Sequence, residues 1–88
     1  MLKPYFERSF GKDVKLAQKR NLNLSKLKEV VIALVEERTL PEKHRLHKLK
    51  GDYADCWECH IDPDWLLIYK LNKKELILIR TGSHSDLF

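Results

Sequence analysis

The sequence predicts an α+β domain of order β-α-α-β-β-β, with two N-terminal helices packed on one antiparallel sheet. Three observations carry that prediction. Apolar residues recur at helical spacing twice in the first half of the chain, at Phe10, Val14 and Ala17 and again at Leu24, Leu27, Val31 and Leu34. Three short strand-like runs follow Gly51, at 53–61, 65–70 and 75–80, with turn residues between them. The length, 88 residues with 43% hydrophobic, suffices for one core and not for two, so residues 1–88 form a single domain.

Each element has its local reason. Residues 2–7 read as a short strand, and Pro4, which lacks an N–H, confines it to a sheet edge or a strand start. Ser9 suits an N-cap for a helix over 9–21, with Lys12, Lys15, Lys19 and Arg20 on its polar side. Asn23 or Ser25 can cap the second helix, whose stripe is widened by Val30 and Val35. Glu36, Glu37 and Arg38 close it, and Pro41 ends the helical run. Residues 39–52 have no period and read as a polar, cationic loop. In 53–61, Trp57, Cys59 and Ile61 alternate with Cys56, Glu58 and His60. Asp62-Pro63-Asp64 marks a turn. The apolar run at 65–70 is what a central strand covered on both faces requires, and Asn72-Lys73-Lys74 turns the chain into the last strand.

Charge is unevenly distributed. The formal net charge is only +4, yet five of the 13 acids fall within 52–64, which holds no Lys or Arg. The remaining residues set all 17 Lys and Arg against eight acids, a surplus of nine, which suits a polyanionic partner. No apolar run of signal-peptide or membrane-span length is present, so export and membrane integration are not expected and a cytoplasmic protein is.

The string Cys56-Trp57-Glu58-Cys59-His60 spells C-x-x-C-H, the pattern of covalent haem attachment. Strand alternation puts the two thiols on opposite faces, the only methionine is Met1, and no export signal precedes them. Haem is therefore rejected, and the same face geometry disfavours a redox disulfide. Zinc held by His44 and His47 lacks a matching Cys/His pair elsewhere. The acids Asp52, Asp55, Glu58, Asp62 and Asp64 fit no common face for a divalent ion. Neither metal nor cofactor is expected.

Metal-free RNA cleavage needs a base for the 2′-hydroxyl proton, an acid for the leaving 5′-oxygen and cations for the phosphate. Histidine suits both proton roles and arginine the phosphate. His47, His60, Asp64, Arg80 and His84 are the candidates, brought towards one another by strand ends. Spacing alone also allows the blander reading, a nucleic-acid-binding module whose histidines are surface imidazoles.

Four segments go further: KDVKLAQKR (12–20), the H-x-L-x-G of His47 to Gly51, CHIDPDWLLIYKL (59–71) and RTGSHSDLF (80–88). With them the chain resembles, over its whole length, the YafQ-type toxins of the RelE/ParE superfamily, ribosome-dependent mRNA interferases of bacterial type II toxin–antitoxin pairs. The resemblance implies two helices beside a twisted antiparallel sheet. It places the catalytic set on His47, His60, Asp64 and His84, with Arg80 on the phosphate and Phe88 on the mRNA. Trp65 would support the neighbouring acid. Glu58 stands where a relative has aspartate, as either an extra acid or an exposed strand residue. The implied roles are Asp64 as base, helped by His47 or His60, and His84 as acid.

Lys48 and Lys50 would grip RNA phosphates. Lys48 and Leu46 replace a proline and an acid common beside the loop histidine of the family. The implied partners are the ribosome with its mRNA and a DinJ-like antitoxin, with operator DNA reached only through the antitoxin. A non-cleaving, nucleic-acid-binding member of the same fold is the alternative. Gyrase-targeting relatives lack this His/Asp set.

Overall fold

The computed structural model describes residues 1–88. In chain order the elements are β1 (Lys3–Phe6), α1 (Arg8–Lys19), α2 (Leu24–Val35), β2 (His47–Lys48), β3 (Trp57–Asp62), β4 (Trp65–Leu71), β5 (Glu75–Gly82) and the one-turn helix α3 (His84–Leu87). Single 3₁₀ turns lie at Glu42–His44 and Gly51–Tyr53. The five strands form one sheet in the order β1-β5-β4-β3-β2.

The α+β class and the helix pair agree with the sequence reading, but the sheet is mixed rather than antiparallel. β1 pairs parallel to β5, Lys3 opposite Glu75 through Phe6 opposite Leu78, while the other pairs are antiparallel. Nothing local in 2–7 states a direction, because the partner strand lies at the other end of the chain. β1 is an edge strand, as Pro4 requires. The N–H groups of Lys3 and Glu7 bond across to Lys74 and Leu78, so alternation turns the nitrogen of Pro4 away from the ladder.

Helix limits also differ from the expectation. α1 starts at Arg8, and Ser9 lies inside it with its hydroxyl donating to the Ile79 carbonyl at 2.7 Å. Asn21, at φ +58°, ends it in a Schellman turn: Leu22 N–H bonds the Ala17 carbonyl and Asn21 N–H that of Gln18. Asn23 is the cap of α2, accepting from the Ser25 N–H at 3.1 Å. Glu37, at φ +58°, closes α2 in the same way, well before Pro41, which instead begins the first 3₁₀ turn. The cationic stretch is not all loop, because His47 and Lys48 pair with β3 as an edge strand. In exchange β3 is shorter than expected, since residues 53–55 are turned aside by the 3₁₀ turn and by Asp55 at φ +69°.

The main core lies between α1, α2 and one sheet face. It contains Phe10, Ala17, Leu27, Val30, Leu34, Cys59, Ile61, Leu67, Leu76 and Leu78 among others. The opposite face carries a smaller cluster of Cys56, Leu66, Ile68 and Leu87, backed by Leu49, Tyr53 and Ile79. β4 is thus covered on both sides, as its unbroken apolar run requires. Cys56 and Cys59 fall on opposite faces, both buried and both free thiols. Burial pushes the Cys59 thiol up to about 12 and raises Cys56 as well. Native protein should therefore take up no aromatic disulfide reagent at pH 8 until denaturant is added, when both thiols should react. Rapid native labelling would contradict the burial. No helix is long and apolar enough to cross a membrane.

Candidate active site

The site lies on the sheet face away from the main core, where β2, β3, the β3–β4 turn and α3 meet. Antiparallel pairing sets His47 directly opposite Glu58, and alternation puts His60 on the same face two residues on. Glu58 is 4% exposed, against the exposed-strand reading, and its Oε1 lies 3.2 Å from His47 Nε2 and 3.7 Å from His60 Nε2. The Nδ1–H of His47 donates to the Arg45 carbonyl at 2.8 Å, leaving Nε2 to face the carboxylate. Neighbouring His44 donates Nδ1–H to the His60 carbonyl at 2.6 Å, tying the first 3₁₀ turn to the strand that carries His60.

His84 completes the row. Its ring centroid is 5.8 Å from that of His60, which is 6.5 Å from that of His47. Its position comes from a capping box: Ser83 Oγ accepts from Asp86 N–H, and the Asp86 carboxylate accepts from Ser83 N–H at 3.0 Å. Asp64, second of the two residues in the β3–β4 turn, accepts both the His84 backbone N–H at 2.9 Å and its Nδ1–H at 2.6 Å. Those two bonds, the backbone one first, hold the Asp64 carboxyl below the usual carboxylate range. Arg20, then Ser83, do the same for Asp86.

The sign of the resulting pH effect is fixed. Both acids ionise more readily folded than unfolded, so their stabilisation is present above about pH 4 and is lost as pH falls through the depressed folded values. The melting-temperature gap between wild type and Asp86→Asn should therefore be constant above about pH 5 and shrink below about pH 4. A gap that widens on acidification would refute the pairing.

Of the expected residues, His47, His60, Asp64 and His84 converge. Arg80 is held by Asp13, which accepts from its Nε at 2.7 Å and Nη2 at 3.2 Å, and that partner raises the guanidinium's pKa further. Phe88 is 64% exposed and meets the Tyr53 ring edge-on at 5.8 Å. Trp65 does not reach the open face. It is buried in the main core, where its Nε1–H donates to Thr81 Oγ1 at 2.9 Å. Thr81 Oγ1 donates in turn to the Leu66 carbonyl, so Trp65 supports the sheet beneath the site. Lys48 alternates with His47 and sits over the Trp57 ring at 5.8 Å, away from the histidines. Lys50 is exposed, outside any strand. Asp13 and Tyr53 carry no signal in the sequence, and His44, weighed there only as a zinc ligand, instead braces the His60 carbonyl. Asp13 stands inside KDVKLAQKR, where an acid on an amphipathic helix reads as solvated surface.

A sequence model described as "Bacterial toxin of type II toxin-antitoxin system, YafQ" matches residues 2–88. The chain belongs to the YafQ toxin family. Among YafQ relatives, the mRNA interferase toxin YafQ of Escherichia coli K12 is 44% identical over 80 residues, covering 90% of this chain and 87% of that one. The YafQ fold of the E. coli DinJ–YafQ toxin–antitoxin complex superposes with a TM-score of 0.92 at 40% identity, over 99% of this chain and 97% of the other. A metal-bound toxin from Helicobacter pylori superposes equally well, TM-score 0.92, at 43% identity over the whole of both chains.

Proposed function

We propose that this chain is an endoribonuclease that cleaves mRNA in the ribosomal A site by metal-independent acid–base attack of the 2′-hydroxyl, thereby stopping translation. The observation that carries the reading is the row of three imidazoles, each backed by a defined carboxylate or carbonyl. Family membership and the E. coli mRNA interferase at 44% identity support it.

The hydrogen bonds favour a different division of labour from the implied one. The Asp64 oxygen already accepts two N–H bonds and its carboxyl is held low, which makes it a poor proton acceptor and a good orienter of His84. We therefore assign the base to the His47–Glu58–His60 group. There a buried carboxylate lies beside two ring nitrogens and can share the 2′-hydroxyl proton they take. With Nδ1–H tied to Asp64, the His84 ring has Nε2 as the nitrogen from which a proton passes to the leaving 5′-oxygen. Arg80 neutralises the phosphate with the N–H groups that Asp13 leaves over, and Phe88 stacks on a base. Lys50 and the lysines of the helices hold rRNA and mRNA phosphates, and Lys48 joins them from its own face of β2. By analogy with the E. coli DinJ–YafQ toxin–antitoxin complex, a DinJ-like antitoxin pairs with this chain; in our reading it covers this surface at rest, and operator DNA is reached only through it.

The test is cleavage of mRNA on programmed ribosomes by purified protein, with end mapping. Cuts in phase with codons, ending in a 2′,3′-cyclic phosphate and absent from ribosome-free RNA, are expected. Equal cutting of free RNA would remove the ribosome from the reading, and no cutting at all would leave the non-catalytic alternative. Because the H. pylori relative was crystallised with metal, chelator-stripped protein is assayed beside protein supplied with Zn²⁺ or Cu²⁺ at constant Mg²⁺. Activity that requires the added ion would overturn metal independence.

A further inference from the structure

Helix α1 runs along the part of β5 that β1 leaves bare. The last β1 pair is Phe6 with Leu78, and beyond it α1 side chains take up the edge hydrogen bonds. Ser9 Oγ donates to the Ile79 carbonyl. Asp13 Oδ2 accepts the Thr81 N–H at 3.1 Å as well as the Arg80 Nε–H at 2.7 Å, while its Oδ1 takes Nη2 at 3.2 Å. Arg20, seven residues and two turns further on, shares that helix face. It donates to both oxygens of Asp86, at 2.7 and 3.3 Å, and Asp86 closes the capping box around the residue before His84.

We infer that Asp13 and Arg20 are positioning residues of the reaction, Asp13 aiming the Arg80 guanidinium and Arg20, through Asp86, holding the turn that carries His84. The inference rests on the cleavage reading above. A guanidinium has five N–H donors in a rigid fork. Two are committed to Asp13, which fixes the plane, and the remaining donors, beside the Tyr53 hydroxyl, are left to meet a phosphate, so little side-chain freedom remains to be lost when substrate arrives. The Asp13 side chain is 12% exposed and bonds the backbone of β5 too, so the fork is fixed relative to the sheet, unlike a solvent-facing ion pair. Gly82 belongs to the same device. A Cβ there would lie 3.1 Å from both Cβ and Oδ2 of Asp86, so only glycine lets the cap close on Ser83 without displacement.

The alternative is that both ion pairs merely staple α1 to the sheet, and the experiment separates the two. Asp13→Asn keeps the shape but turns an N–H group towards the Arg80 donors. It should lower kcat on ribosome-bound mRNA about 10- to 100-fold with KM nearly unchanged. The Asp13→Asn/Arg80→Ala double variant should be no slower than Arg80→Ala alone. Arg20→Met should lower kcat likewise and add nothing to His84→Ala. Additive losses, or a lower melting temperature with unchanged kcat, would overturn the inference. A readout free of activity keeps it separate from the cleavage reading. In the free protein, the Arg80 Nε–H nuclear magnetic resonance should be protected from exchange in wild type and lose that protection in Asp13→Asn. Wild type that protects Arg80 yet cleaves nothing would sink the cleavage reading and the positioning role built on it. An unprotected Arg80 in cleaving wild type would sink the positioning role alone.

Discussion

His84→Ala should slow single-turnover cleavage of ribosome-bound mRNA by about 10²- to 10⁴-fold, the range typical of a lost proton donor. The fold should hardly notice, since the ring is 56% exposed and its tie to Asp64 lies at the surface. Two further measurements locate the defect. Asp64→Asn should fall between wild type and His84→Ala, and the double variant should match His84→Ala, because the carboxylate acts through the ring. A substrate whose leaving 5′-oxygen is replaced by sulfur needs no acid, so on that substrate His84→Ala should approach the wild-type rate. His60→Ala, which removes part of the base group, should stay slow on both substrates. Full activity of His84→Ala on ordinary mRNA would end the acid assignment.

The parts of the molecule legible in its sequence are those whose signal is local. Both helices announce themselves through the spacing of Phe10, Val14 and Ala17 and of Leu24, Leu27, Val31 and Leu34, because a helix on a sheet must bury one stripe. The run at 65–70 announces a strand covered on two sides, and Asp62-Pro63-Asp64 a hairpin turn. The direction of β1 is decided by β5, about 70 residues away, and had no local signature. The strand that carries His47 is hidden in a cationic stretch because a two-residue edge strand is too short to show a period.

The site divides along the same line. Its histidines are legible because few other roles suit three imidazoles and an acid at strand ends. The side chains that aim them are not. Glu58 is buried because β2 folds over it, and a strand pattern read without its edge neighbour leaves it exposed. Asp13 with Arg80 and Arg20 with Asp86 are separated by 67 and 66 residues, and in sequence each member is an ordinary surface charge. Such pairs exist only once topology has brought the ends of the chain together.

The smaller cluster ties this site to stability, and two leucines within it should respond differently to truncation. Leu66 is fully buried on β4, opposite His60 in the β3–β4 register. Leu66→Ala should cost about 2–5 kcal/mol, because its apolar neighbours are held by the sheet and cannot collapse into the cavity. A domain of this size has about 4–13 kcal/mol in all, from typical per-residue values. At about 4–8 °C per kcal/mol, its melting temperature should fall by at least about 8 °C. Leu87 is 7% exposed at the end of α3, where a one-turn helix can shift to fill part of the void. Leu87→Ala should therefore cost less stability. It removes the only buried apolar anchor of the turn that begins at His84, however, leaving the Asp86 cap and the Asp64 bonds to hold the ring. Its rate loss at a temperature where both variants are folded should exceed that of Leu66→Ala. Thermal melts and single-turnover rates on the same preparations give both orders. If the variant with the lower melting temperature is also the slower one, the cluster supports only the fold.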